Sequence, residues 1–224
     1  MSSFLQNFAN VDTFMATLPL LLQGLVITAS LALVALPLAL ACGLVVALLF
    51  EANNRALSAG LFVLIDTFRS IPVLVLLMII FYALPFLGVV IPAFTAVVLA
   101  LVINNAGYFG EIFRAGLASV PRHQFEAGLA LGISRPRTLI FIVVPQAVRN
   151  VIAPLASNSL ELAKATSIAS LVTLPEMLRV AQVAQANVYN PTPLVAAALI
   201  YFIVLWPFSR LVARYERKTL KARY

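Results

Sequence analysis

A chain of 224 residues that is 62% hydrophobic and only 10% charged is not a soluble domain, in which about a quarter of residues carry charge. Its apolar runs repeatedly exceed the roughly 20 residues that cross a bilayer, which makes it an all-α integral membrane protein. One Cys and one His exclude an internal disulfide and argue against a metal site. Cys42 lies in an apolar run, where a buried and inert thiol is the default, and His123 is read as a loop surface residue.

Residues 1–17 contain no Lys or Arg, and the apolar stretch Leu18–Phe50 is far longer than a signal-peptide h-region. It is read as a retained first span, closed by the polar cluster Glu51–Arg55. The second runs from about Leu57 to Leu84, interrupted by Asp66, Arg69 and Pro72. Pro85, Gly88 and Pro92 turn the chain into a third, about Ile91–Leu117. The fourth runs from Thr138 to about Lys164, and the last is Leu194–Val212, introduced by Pro191 and Pro193. Pro37, Pro72 and Pro145 are expected to kink their helices. Between the last two spans, Thr166–Tyr189 is too polar for a lipid-facing helix. It is read as a broken or re-entrant helix followed by an extracytoplasmic surface helix.

The net charge of +7 sets orientation. Arg55, Arg122, Arg135, Arg137, Arg210, Arg214, Arg217, Lys218, Lys221 and Arg223 fall on one side, and Arg179 on the other. The positive-inside rule then puts the N-terminus outside and the C-terminus in the cytoplasm. These residues straddle membrane boundaries with no nucleic-acid-binding fold, so no nucleic-acid partner is expected, only lipid.

This topology makes the segment 119–133 cytoplasmic. Ser119 is a candidate cap, Pro121 suits a first helical turn, and Phe125, Leu129 and Ile133 recur on one face. Gly132 is placed to stop the helix in the left-handed conformation, and Ser134 to cap the next. An interfacial helix lying on lipid, or a structured loop, fits these features equally.

Spacing adds something further. Glu126-Ala127-Gly128, three residues, Gly132, nine residues, Ile142, one residue and Val144-Pro145 resembles the "EAA" signature of permease subunits of ATP-binding-cassette importers. It departs from that signature only at Gly128 (for Ala) and Val144 (for Leu). "FRSIPVLVLL", "NNAGYFGEIFRAGLASVP", "PQAVRNVIAPL" and "ELAKATSIASLVTLPEML" look like the polar amino-acid branch of that family, over residues 20–215. The resemblance implies a single permease domain over 1–224, of the type I importer kind, in a bacterial cytoplasmic membrane. It implies that the 119–133 helix docks into a cytoplasmic ATPase. Glu126 would make a charged contact, Ala127 and Gly128 would allow close approach, and Gly132 would set the angle to the next span. It further implies an ATPase dimer, a second permease subunit, identical or different, and an extracytoplasmic solute-binding protein. The chain has no Gly-x-x-x-x-Gly-Lys-Ser/Thr phosphate loop of its own, so no catalytic residue, cofactor or metal is assigned to it.

Charges at membrane depth are costly and point to function. Asp66/Arg69 and Glu161/Lys164 are each three apart, so each can be a self-neutralised pair. Asn158, Glu161, Lys164, Thr166 and Ser167 cluster just before the expected helix break, an arrangement suited to a mid-membrane solute site. With Arg69, they are the candidate pathway residues. Asn104, Asn105 and Glu111 are candidates for bonding between helices. An ion-coupled secondary transporter or channel subunit is the alternative.

Overall fold

The computed structural model describes residues 8–50 and 54–221, with backbone only for 218–221. Glu51–Asn53, Arg223 and the side chains of Lys218 and Lys221, which belong to the expectations above, lie outside that description. Every regular element among the described residues is helical. In chain order these are α1 (Val11–Phe50), α2 (Arg55–Ser70), α3 (Val73–Met78), α4 (Ala93–Ala118), α5 (Arg122–Ala130), α6 (Arg135–Thr138), α7 (Val144–Ala165), α8 (Met177–Val188) and α9 (Thr192–Lys221). Four stretches are long and apolar enough to cross a membrane: Val11–Phe50, Ala93–Ala118, Arg135–Val172 and Thr192–Arg217. A fifth exists if α2 and the segment Val73–Leu87, bent where they meet, are one broken span.

Three of the breaks have proline as their cause. Ile71 is extended (φ −84°, ψ 125°), as the residue before Pro72 prefers, and α2 ends there. π-helical turns occupy Ile79–Ala83 and Leu139–Val143, each ending two residues before a proline, Pro85 and Pro145. Proline removes the N–H that would close an α-turn, and a wider turn takes up the slack. Pro37, by contrast, lies within the unbroken α1.

On α1 the buried residues Thr17, Leu21, Gly24, Thr28, Leu31, Ala35, Ala39, Gly43 and Ala47 recur every three or four positions, so one stripe packs and most of the rest stays apolar and exposed. Small residues on that stripe let helix backbones approach closely. Cys42 falls off it and is exposed, not buried as expected.

Two compact units emerge. One gathers the described residues of Met1–Leu36, Pro72–Leu101 and Leu160–Leu211. Its core is Leu21, Met177, Ala181, Ala196 and Ala197, with Phe14, Leu25 and Tyr201 against it. So α8 is no simple surface helix: one face is buried. Ahead of it the chain breaks as expected, through a 3-10 turn (Thr166–Val172) and left-handed Thr173. The Glu176 carboxylate then caps α8, accepting from the Leu178 and Arg179 N–H groups at 2.9 and 2.7 Å. It also accepts from the hydroxyls of Tyr201 (3.2 Å) and Thr28 (3.3 Å), and it is fully buried. Burial pushes this carboxyl up from its usual range, and its four donors act the other way.

The other unit gathers the described residues of Pro37–Ile71, Val102–Ser159 and Val212–Tyr224. Because Pro72 cannot donate, the carbonyl of Phe68 lacks its helical partner, and the Asn104 amide supplies one. Asn104 Nδ2 donates to Phe68 O at 3.0 Å and Ile71 O at 3.2 Å. The Tyr108 hydroxyl donates to Arg69 O at 3.3 Å. Asn104→Ala should therefore destabilise the protein by about 1–3 kcal/mol, by leaving two half-buried carbonyls without their donor, and thermal unfolding in detergent will read it. Glu111 takes a different course from the expected bond between helices: it pairs with Arg114 on its own helix at 2.6 Å.

Candidate functional site

α5 opens after Pro121, whose fixed φ suits a helix start but which offers no side-chain cap. Ser119 does not cap it: its hydroxyl donates back to Gly116 O at 2.7 Å, at the end of α4, and accepts from the Asn150 amide at 2.8 Å. Ser134 stands at the N-cap of α6, again without a side-chain bond. The helix stops at left-handed Gly132 (φ 78°). The Ile133 N–H reaches Gly128 O (3.1 Å) and the Gly132 N–H reaches Leu129 O (2.9 Å). These two bonds are a Schellman stop, which spends the carbonyls that α5 would otherwise leave open.

The Glu126-Ala127-Gly128 triplet is divided between two faces. Gly128 is buried against the next helix. A Cβ there would meet Thr138 Cγ2 at 2.5 Å and Oγ1 at 2.9 Å, so glycine sets how tightly α5 folds back on its own chain. That replaces the expectation that Gly128 admits a partner subunit. Phe125 joins the same inner side, packed on Val120, Val143 and Ala147. Glu126, Ala127 and Gly132 are exposed on the outer side, together with Leu131, whose exposure is 79%. A large apolar side chain held outward just past the end of a helix fixed from behind, with a carboxylate also exposed on that helix, suits protein docking. A cavity of about 590 Å³ runs alongside, lined by Arg122, Phe125, Glu126, Leu139 and Val143 among others.

The pathway candidates are distributed over both units. Within Arg135–Val172, Glu161 and Lys164 form the expected i,i+3 ion pair at 2.7 Å, with side chains 68% and 49% exposed. Lys164 and Ser167 line a cavity of about 620 Å³ with Tyr201, Trp206 and Ser209 on otherwise apolar walls. The Ser167 hydroxyl donates to Lys164 O at 2.9 Å. Asn158, in the other unit, donates to Asn105 Oδ1 at 3.4 Å. Arg69, also in that unit, does not pair with Asp66. Asp66 is exposed, and the Arg69 guanidinium carbon lies 4.7 Å from the centre of the Tyr108 ring.

Sequence reasoning passed over Glu176 and Tyr108. Glu176 carried a signal, an acidic residue after Pro175 and ahead of an amphipathic stretch, which is where a helix N-terminus takes a carboxylate. Tyr108 carried none, because its partner is 39 residues away.

Among the described residues every element is helical, several stretches are long and apolar enough to span a membrane, and charged side chains stand along one of them, an architecture that transporters share. Residues 35–221 match the family of binding-protein-dependent transport system inner membrane components, and the chain belongs to that family. It is 35% identical over 204 residues to the probable glutamine ABC transporter permease of Bacillus subtilis, covering 89% of this chain and 93% of that one. The arginine transport system permease of the same organism is 33% identical over 93% of this chain and 97% of its own length. A solved amino acid ABC transporter with histidines superposes with a TM-score of 0.83 at 32% identity, over 91% of this chain and 96% of that one. An inward-facing methionine ABC transporter, at 19% identity and a TM-score of 0.71, shares the fold. The chain is a multi-pass inner-membrane permease component and not the ATPase.

Proposed function

We propose that this permease imports polar amino acids or their derivatives, driven by a separate cytoplasmic ATPase dimer, with its N-terminus outside and its C-terminus in the cytoplasm. Glutamine and arginine in the relatives' names, and the histidines of the solved one, support the substrate class. The observation that carries the coupling role is the two-faced α5, locked inward by Gly128 and Phe125 and presenting Glu126, Ala127 and Leu131 outward. In this reading α5 fits a cleft on the ATPase, and Gly132 fixes the angle through which movement passes to α6 and α7. A second permease, identical or different, completes the pathway, and an extracytoplasmic solute-binding protein delivers the solute. In this reading the chain itself needs no cofactor.

Glu161, Lys164, Ser167 and Asn158 are proposed to line the solute's path. Glu161 and Lys164 stand exposed on an apolar span, and ionisable groups in spans face the bundle interior or a water-filled cavity. Glu161→Gln is expected to lower uptake of cationic amino acids about tenfold while solute-stimulated ATP hydrolysis persists. Unchanged uptake and preference would remove Glu161 from the path.

Reconstitution tests the function as a whole. With ATPase and binding protein in proteoliposomes, uptake should require ATP and survive collapse of every ion gradient. Uptake that persists without the ATPase and vanishes with the gradient would make the ion-coupled alternative correct.

A further inference from the structure

We propose that Arg69 is a carboxylate-binding residue of the transport path, taking the α-carboxylate of the amino acid; this rests on the reading of the chain as an amino-acid permease. Three features fix the side chain in place. Its stem lies across α4 at Gly107, where a Cβ would come within 2.9 Å of Arg69 Cγ, so any larger residue would lift it. Its guanidinium lies over the Tyr108 ring at 4.7 Å, and the Tyr108 hydroxyl holds Arg69's own carbonyl at 3.3 Å. Asn104 ties the carbonyls on either side, those of Phe68 and Ile71, to the same helix.

What the fold leaves out is an acceptor. Arg69 Nε is buried with no hydrogen-bond partner among the described residues, and no carboxylate pairs with the head group. Buried polar groups are nearly always bonded, so an orphaned one requires an explanation. A structural arginine inside a membrane protein finds a carboxylate or a carbonyl in its own chain. Here Asp66, one turn away, is exposed and unengaged with it. A planar cation, held rigidly and lacking an anion, is the recognition half of a fork-to-carboxylate contact. Tyr108 covers one face of the guanidinium, and because Nε itself is buried an incoming carboxylate would meet the two terminal nitrogens.

The test is equilibrium binding to the purified permease–ATPase complex without the binding protein, which has its own preference for the solute. The probe is whichever of radiolabelled L-glutamine and L-arginine the wild-type transporter takes up, compared with the matching α-carboxamide. Wild type should bind the acid at least tenfold more tightly than the carboxamide. Arg69→Gln should weaken the acid roughly ten- to hundredfold, leave the carboxamide unchanged and so abolish the discrimination. Arg69→Lys, a point charge without the fork, should keep part of it. Arg69→Gln with unchanged acid affinity, or with acid and carboxamide weakened alike, overturns the proposal; the second result would mean that Arg69 only supports the fold, or serves a lipid phosphate. If Arg69→Gln fails to assemble, Arg69→Lys decides in the same way: selective loss of the acid supports the proposal and equal loss overturns it. Wild type that takes up no polar amino acid or derivative at all removes the amino-acid reading and this proposal together. An active wild type with an indifferent Arg69→Gln removes this proposal alone.

Discussion

Glu126→Lys is expected to cut the ATPase recovered with the permease at least tenfold and to abolish coupled uptake, with the permease itself still folded. The reason is geometric. Glu126 sits on the exposed side of α5, so reversing its charge disturbs only what docks there, and truncating or opposing a charge at an interface acts mainly on complex lifetime. Gly128→Val provides the contrast. Its added carbons collide with Thr138 inside the permease, so it should lower thermal stability as well as coupling. Co-purification and unfolding measured on the same two variants separate a docking residue from a hinge residue. Equal behaviour of the two would contradict the division of faces.

Glu176→Ala is expected to be the most destabilising single change in the first unit, by about 3 kcal/mol, or roughly 6–12 °C in Tm. Removing the carboxylate leaves two backbone N–H groups at the start of α8 without acceptors, and the Tyr201 and Thr28 hydroxyls lose a buried partner. Thr28 also accepts from the Met177 N–H at 3.1 Å, so α1, α8 and α9 meet at this one residue. Glu176→Gln keeps an acceptor oxygen but turns an amide donor toward donors, and should fall between alanine and wild type. Detergent melts, with protease nicking between Thr173 and Tyr189, would read both variants. A melting temperature unchanged in Glu176→Ala would mean that the network is incidental.

Long apolar runs made α1, α4 and α9 readable, because length and composition alone decide whether a helix spans a bilayer. The stop at Gly132 was equally readable, since only one residue type adopts φ 78° at little cost. The motif's spacing pointed to α5 but could not say which way each residue faces. That is set by Thr138, ten positions on, which claims the Gly128 side. The same limit applies to Arg69. An i,i+3 rule permits a pair with Asp66, yet the stem crosses to Gly107 and Tyr108, a contact that local periodicity does not encode. Ser119 is a third example: a hydroxyl between two helices can serve either, and here it closes the first by bonding Gly116. Cys42 is exposed because the packed stripe of α1 passes through Ala39 and Ala47 and misses it.

The central claim is that α5 works as a lever gripped by a separate ATPase. Site-directed cross-linking tests it most directly. With Cys42 replaced by serine, Ala127→Cys or Leu131→Cys is introduced on the outer side of α5, and the assembled transporter is treated with a short thiol cross-linker. The expected product joins permease to ATPase at either position, changes in yield when ATP is bound, and is missing for a control at the inward Phe125. Labelling of Ala127→Cys and Leu131→Cys by a lipid-soluble reagent, with no ATPase product in any nucleotide state, would contradict the account.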